Sequence, residues 1–182
     1  MVDGRHGDRN MNEMNFPRQI LNWIQGKEKA AVSETWFPKL NPHNAELICH
    51  VTRSSSLDIE NAVTIAKQVY PSWANTPPVQ RGKILHGFAM GFQAHREAIA
   101  RIVALETGKS FHDALGEVDG AIALGLFFAG EGQRLYGKTT TSGAPNKWAT
   151  IVRQPVGIAG LIIAANTPIA NIAWKVFPAL IC

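Results

Sequence analysis

The sequence holds only two cysteines, Cys49 and Cys182, and they are too far apart to form a C-x-x-C unit. A disulfide framework and a cysteine-based zinc site are therefore excluded, and a reducing, cytoplasmic setting is the expectation. The six histidines are dispersed. His50 follows Cys49, but neighbours along a strand point to opposite faces, so no metal site is expected from the pair. No long run of Lys or Arg occurs, and aromatic residues do not alternate with basic ones. A net charge of +4 spread in this way describes no nucleic-acid surface. The dinucleotide fingerprint G-x-G-x-x-G is missing. So is the apolar core of a secretory signal: the opening MVDGRHGDRNMNEMN is polar and reads as a disordered tail.

What remains is an ordinary soluble composition, 46% hydrophobic and 18% charged over 182 residues, enough for a sizeable core. Residues 16–25 place Phe16, Ile20, Leu21 and Ile24 at a spacing compatible with a short helix. Residues 36–40 and 46–51 read as strands around the turn Asn41-Pro42-His43-Asn44, an antiparallel hairpin with a four- or five-residue loop. Ser56 opens a helix whose stripe runs through Ile59, Ala62, Val63, Ala66, Val69, Tyr70 and Trp73. Asn75-Thr76-Pro77-Pro78 ends it and starts the next. Gly91 and the polar stretch around His95 divide that one in two, and Gly108 is a natural C-cap. Residues 110–136 form a third long helical stretch, in which Gly116, Gly120, Gly125 and Gly130 are read as close-packing positions. Residues 136–147 are a linker, residues 148–154 a strand, and residues 156–165 (VGIAGLIIAA) a strand buried on both faces of a parallel sheet.

Thr167 then caps a helix with Pro168 in its first turn. A strand, a turn and a helix N-terminus make the first half of a dinucleotide-binding unit. A single β-α unit cannot bury a parallel strand on both faces, so the sequence reads as unfinished. Asn166 stands at the turn. It can donate its amide to a developing oxyanion, or merely shape the turn and help cap the helix. Lys175 is the one lysine of an otherwise apolar helix, and it either reaches solvent or faces a polar cavity. Residues 156–182 are long enough to span a bilayer, but Asn166, Thr167, Pro168, Asn171 and Lys175 interrupt them, so no membrane is expected.

Residues 153–180 (RQPVGIAGLIIAANTPIANIAWKVFPAL) resemble the aldehyde dehydrogenase segment with its R-x-P-V-G-V-x-G strand, N-x-P turn and W-K-x-x-P-A-L helix. Upstream, ETGKSFHDALGEVD resembles that family's E-T-G-K-x-x-x-x-A-x-x-E-V. The FPKLNPHNAELICHV hairpin, the helix pair beginning DIENAV and the YGKT segment follow the same order, so the resemblance covers residues 36–182.

The resemblance implies an α/β fold, the N-terminal part of the family's. Residues 1–35 would be a tail and short helix, residues 36–147 the hairpin and helical part of the cofactor-binding domain, and residues 148–182 a bridging strand with the first β-α unit of an incomplete Rossmann-like sheet. It implies NAD- or NADP-dependent oxidation of an aldehyde to a carboxylic acid: a cysteine thiolate attacks the carbonyl, hydride passes to nicotinamide, and a glutamate activates water. Asn166 matches the asparagine that donates to the oxyanion. Lys175 matches a lysine associated with the proton path near the general base. Ile162, Ile163, Ala164, Ala165 and Asn166 match the strand end and turn lining the nicotinamide side of the cofactor.

The sequence departs from the family in two ways. Ala164-Ala165 stand where the family usually has Pro-Trp, so the wall beside the cofactor is smaller. The cofactor-ribose lysine, the glycine turn, the general base and the nucleophile have no counterpart here, and Cys182 falls at the end of the W-K helix without a base to activate it. The expectation is an inactive front portion of a homo-oligomeric enzyme. The alternative is a non-catalytic remnant or interaction module, pairing through its exposed strand.

Overall fold

The structure, a computed structural model, describes residues 17–182. The opening tail read from the sequence lies outside them. The chain divides into two compact units, one through Ala62 and one from Val63 to Cys182.

The first unit is built on a three-stranded sheet. Its central strand is β5 (Leu47–Thr52), with β1 (Gln19–Ile20) parallel on one edge and β4 (Trp36–Leu40) antiparallel on the other. β2 (Asn22–Ile24) and β3 (Lys27–Lys29) form a separate hairpin. The short helix expected over residues 16–25 is absent from the described part of that stretch. Gln25 and Gly26 take φ of 58° and 71°, the two-residue turn that sends the chain straight back on itself. Four apolar residues at helical spacing do not outweigh that turn. The β4–β5 hairpin forms as expected, with Phe37 opposite Val51, but its loop is longer, because Leu40 pairs with Leu47. Asn41 holds the loop, its side-chain oxygen accepting from His43 N at 2.9 Å while its backbone bonds Glu46 and Ala45.

α1 (Ser56–Ala74) begins in the first unit. Its Asp58 accepts from Ser55 N (2.8 Å), Ser55 Oγ (2.9 Å) and Val32 N (2.9 Å). These donors hold the Asp58 carboxyl below its ordinary value, the Ser55 amide most of all and then that of Val32. The apolar stripe expected on α1 is only half-buried, and Ile59 and Val69 are exposed.

The second unit is a helical core centred on α4 (Phe111–Glu131), against which α2 (Pro78–Ala94), α3 (Arg96–Thr107) and α5 (Pro168–Ile181) pack. The local signals hold. Ser110 caps α4 by accepting from Asp113 N at 3.1 Å, and Gly108 ends α3 in the left-handed region at φ 76°. The division near His95 falls between α2 and α3. On α4 the buried positions are Ala114, Val118, Ala121, Ile122, Gly125 and Ala129, a single helical face. On α5 they are Ile169, Ala173, Phe177 and Ile181, spaced by four.

Of the four glycines read as packing positions, only Gly125 has that role against another helix. A Cβ there would stand 2.8 Å from Phe177. At Gly116 and Gly120 it would meet nothing within 4 Å. The tight approaches lie elsewhere, at Gly82, Gly132 and Gly137, where an added Cβ would meet the carbonyl oxygens of Ala129, Pro78 and Ile151. The helix also stops at Glu131 rather than at Tyr136.

Two further expectations are corrected. Part of the expected linker is a strand: β6 (Lys138–Thr141), whose threonines favour extended backbone, pairs antiparallel with β7 (Trp148–Ile151). Residues 156–165 form no strand, and they are not buried. Val156 is 99% exposed and Ile162 85%. A strand needs a neighbour to satisfy its ladder, and none of the three sheets among the described residues includes this run. Gly157, at φ 108°, also departs from extended geometry at the run's second residue.

Candidate functional site

The C-terminal helix of the second unit is held at both ends by side chains of the sign its dipole favours. At its N-terminus Thr167, the expected cap, makes no side-chain cap bond; its hydroxyl instead accepts from Asn171 Nδ2 at 2.8 Å. The cap comes from α4. Glu117 Oε1 accepts from Ile169 N at 2.9 Å and from Ala170 N at 3.2 Å. Its other oxygen takes Lys109 Nζ at 2.5 Å, and the same ammonium donates to the carbonyl of Asn166 at 2.8 Å. The Glu117 side chain is 5% exposed, so this is an ion pair withdrawn from water. At the other end, Trp73 Nε1 donates to Leu180 O at 3.1 Å, and the buried Arg81 donates to Ile181 O.

Beside the helix N-terminus lies an open groove of about 750 Å³. Lys109, Asp113, Glu117 and Thr167 are its polar lining residues, and Leu124, Phe127 and Trp174 its large apolar ones. Phe127 and Trp174 are 55% and 62% exposed, large apolar surfaces available to a small molecule.

The residues singled out from the sequence divide into two groups. Lys175 Nζ donates to the carbonyl of Ile162, so the structure joins the expected proton-path lysine to the expected cofactor wall. Ile163 is half-buried, while Ala164 and Ala165 are exposed at the turn. Asn166 is exposed and meets Lys109 rather than Lys175. The helix amides that could hold a phosphate are already taken by Glu117. The expected cofactor residues 162–166 thus precede helix amides that are already bonded to Glu117. Lys109 and Glu117 stand in the E-T-G-K and E-V motifs, whose letters do not record this contact. The signal available was a glutamate on the apolar face of α4, next to buried Val118.

The sequence profile of the aldehyde dehydrogenase family matches residues 27–182. The chain belongs to the aldehyde dehydrogenase family. The match begins nine residues before residue 36, where the resemblance carried by the motifs begins. This aldehyde dehydrogenase chain is 33% identical over 162 residues to the mitochondrial benzaldehyde dehydrogenase of Antirrhinum majus, covering 87% of this chain and 30% of the relative. It is 31% identical to a malonate-semialdehyde dehydrogenase of Listeria monocytogenes, covering 88% and 33%. The crystal structure of a betaine aldehyde dehydrogenase from Staphylococcus aureus in complex with NAD+ superposes with a TM-score of 0.86 at 28% identity, over 92% of this chain and 33% of that one. An NADP-dependent enzyme of E. coli superposes with the same TM-score at 30% identity, over 91% and 34%. The chain thus spans about a third of the length of the family members it matches, and corresponds to their N-terminal part. Among the described residues no helix is long and apolar enough to cross a membrane, and no cluster of His, Cys, Asp and Glu could hold a metal.

Proposed function

We propose that this chain supplies the front part of an NAD- or NADP-dependent enzyme that oxidises an aldehyde to a carboxylic acid. The nucleophile and general base lie outside these 182 residues, so the chain alone turns nothing over. The observation that carries the reading is the Asn166 turn, set at the N-terminal end of α5 beside a groove lined by both charged and large apolar side chains. In this reading the Asn166 amide donates to the oxygen of the aldehyde as it gains charge, and Lys175, anchored on the Ile162 carbonyl, serves the proton path. Residues 162–165 face the nicotinamide end of the dinucleotide, which when bound supplies the hydride acceptor. The small side chains of Ala164 and Ala165 leave room for that ring. The apolar side of the groove, Leu124, Phe127 and Trp174, receives the body of the aldehyde. No disulfide joins Cys49 to Cys182, which suits a reducing compartment, the cytoplasm.

The test is to follow NADH and NADPH formation from a panel of aldehydes, with the 182-residue chain and with the product of the gene read beyond the Cys182 codon. No turnover by the chain and turnover by the longer product are expected. Turnover by the chain alone, or a longer product inert toward every aldehyde, overturns the reading.

A second role is favoured by β7. Its four residues are all exposed, Trp148 by 73%, and β6 covers only one of its edges. Strand addition there would join copies into a homo-oligomer. Sedimentation of wild type against Thr150→Pro measures it, since proline removes the edge donor.

A further inference from the structure

We propose that Lys109 and Glu117 are positioning residues for the turn that carries Asn166, and not simply a cap for α5. A helix N-terminus needs acceptors for its free N–H groups. Glu117 Oε1 supplies them to Ile169 and Ala170, which is a capping contact. The bond from Lys109 is of another kind. Its Nζ donates at 2.8 Å to the carbonyl of Asn166, which precedes the helix. A helix start leaves N–H groups unsatisfied, not carbonyls, so this bond does nothing for α5. It holds the peptide that joins Asn166 to Thr167.

The ion pair itself supports the same division of labour. Withdrawing two charges from water stabilises a fold little or not at all. Lys109 and Glu117 are nonetheless largely removed from solvent, and each directs its remaining hydrogen-bonding capacity at one short segment, Asn166 to Ala170. Lys109 enters from the loop between α3 and α4, and Glu117 from the second turn of α4. The turn is therefore referenced to the centre of the core rather than to its own flanking residues. Within the aldehyde-oxidising reading, on which this consequence rests, the pair fixes where the Asn166 amide stands before substrate arrives, and neither residue touches the reacting atoms.

The experiment is backbone and side-chain NMR relaxation on the 182-residue chain, comparing wild type with Lys109→Met, Lys109→Arg and Glu117→Gln. In Lys109→Met, order parameters over residues 165–167 are expected to fall below about 0.6, while Ala173 to Phe177 stay near about 0.85. Lys109→Arg, which keeps the charge and the donors, restores the turn. Glu117→Gln loses the ion pair and loosens the same residues, but it keeps an acceptor, so the Ile169 and Ala170 amides stay protected from exchange. A turn as ordered in Lys109→Met as in wild type overturns the proposal. Loosening spread evenly along α5 also overturns it, because that is the mark of a cap alone. Order is read here rather than turnover, so an inert longer product would sink the aldehyde-oxidising reading and leave this result standing.

Discussion

Arg81 closes α5 from 100 residues away: its Nε and Nη2 both donate to the carbonyl oxygen of Ile181, at 3.2 and 3.0 Å. Its Nη1 donates to Thr76 O at 2.7 Å, and the residue is only 5% exposed. Arg81→Ala leaves one buried and one partly buried carbonyl without donors and a helix C-terminus without its cation. A loss of about 2–4 kcal/mol in urea unfolding is expected. Arg81→Lys keeps the charge but not the planar fork, and should recover only part of that.

The glycines of α4 separate by environment. Gly125→Ala pushes a methyl to 2.8 Å from the Phe177 ring in a packed core, and is expected to destabilise by about 1–3 kcal/mol. Gly116→Ala and Gly120→Ala meet open space and should stabilise the helix by up to about 1 kcal/mol each. Opposite signs in parallel denaturant titrations test the placement of α4 against α5.

Acid weakens the fold through Asp58. Its folded carboxyl binds a proton less readily than the ordinary value of 3.8, because the Ser55 and Val32 amides favour the charged form. As pH falls the unfolded chain takes up its proton first, so the stabilisation is complete well above about pH 4 and is lost as pH drops through that value toward the lower folded one. Asp58→Asn removes this contribution. Stability curves of variant and wild type should differ near neutrality and converge at low pH.

Exposed apolar side chains on residues 156–165 are expected to govern association rather than stability. Val156→Ser and Ile162→Ser, at positions 99% and 85% exposed, should change unfolding free energy by less than about 0.5 kcal/mol. The same variants should scatter less light on concentration, since a smaller apolar patch is left in water.

The aldehyde dehydrogenase resemblance was legible because its motifs are contiguous runs, and the helices because their signals are local. Ser110 precedes α4, Gly108 follows α3, Pro77-Pro78 separates α1 from α2, and Ile169, Ala173 and Phe177 recur every four residues. Each of these acts within one or two turns of chain, so the sequence by itself determined them. Only the tertiary structure decided who caps α5, since Glu117 lies 52 residues before the amide it accepts from and Arg81 100 before its carbonyl. It also decided that Gly82, Gly132 and Gly137, not Gly116 and Gly120, mark the closest approaches. And it decided that residues 156–165 join none of the sheets among the described residues. The physical reason is common to all three: a hydrogen-bond partner, a packing neighbour and a ladder strand are properties of what another part of the chain brings alongside, and no local pattern records them.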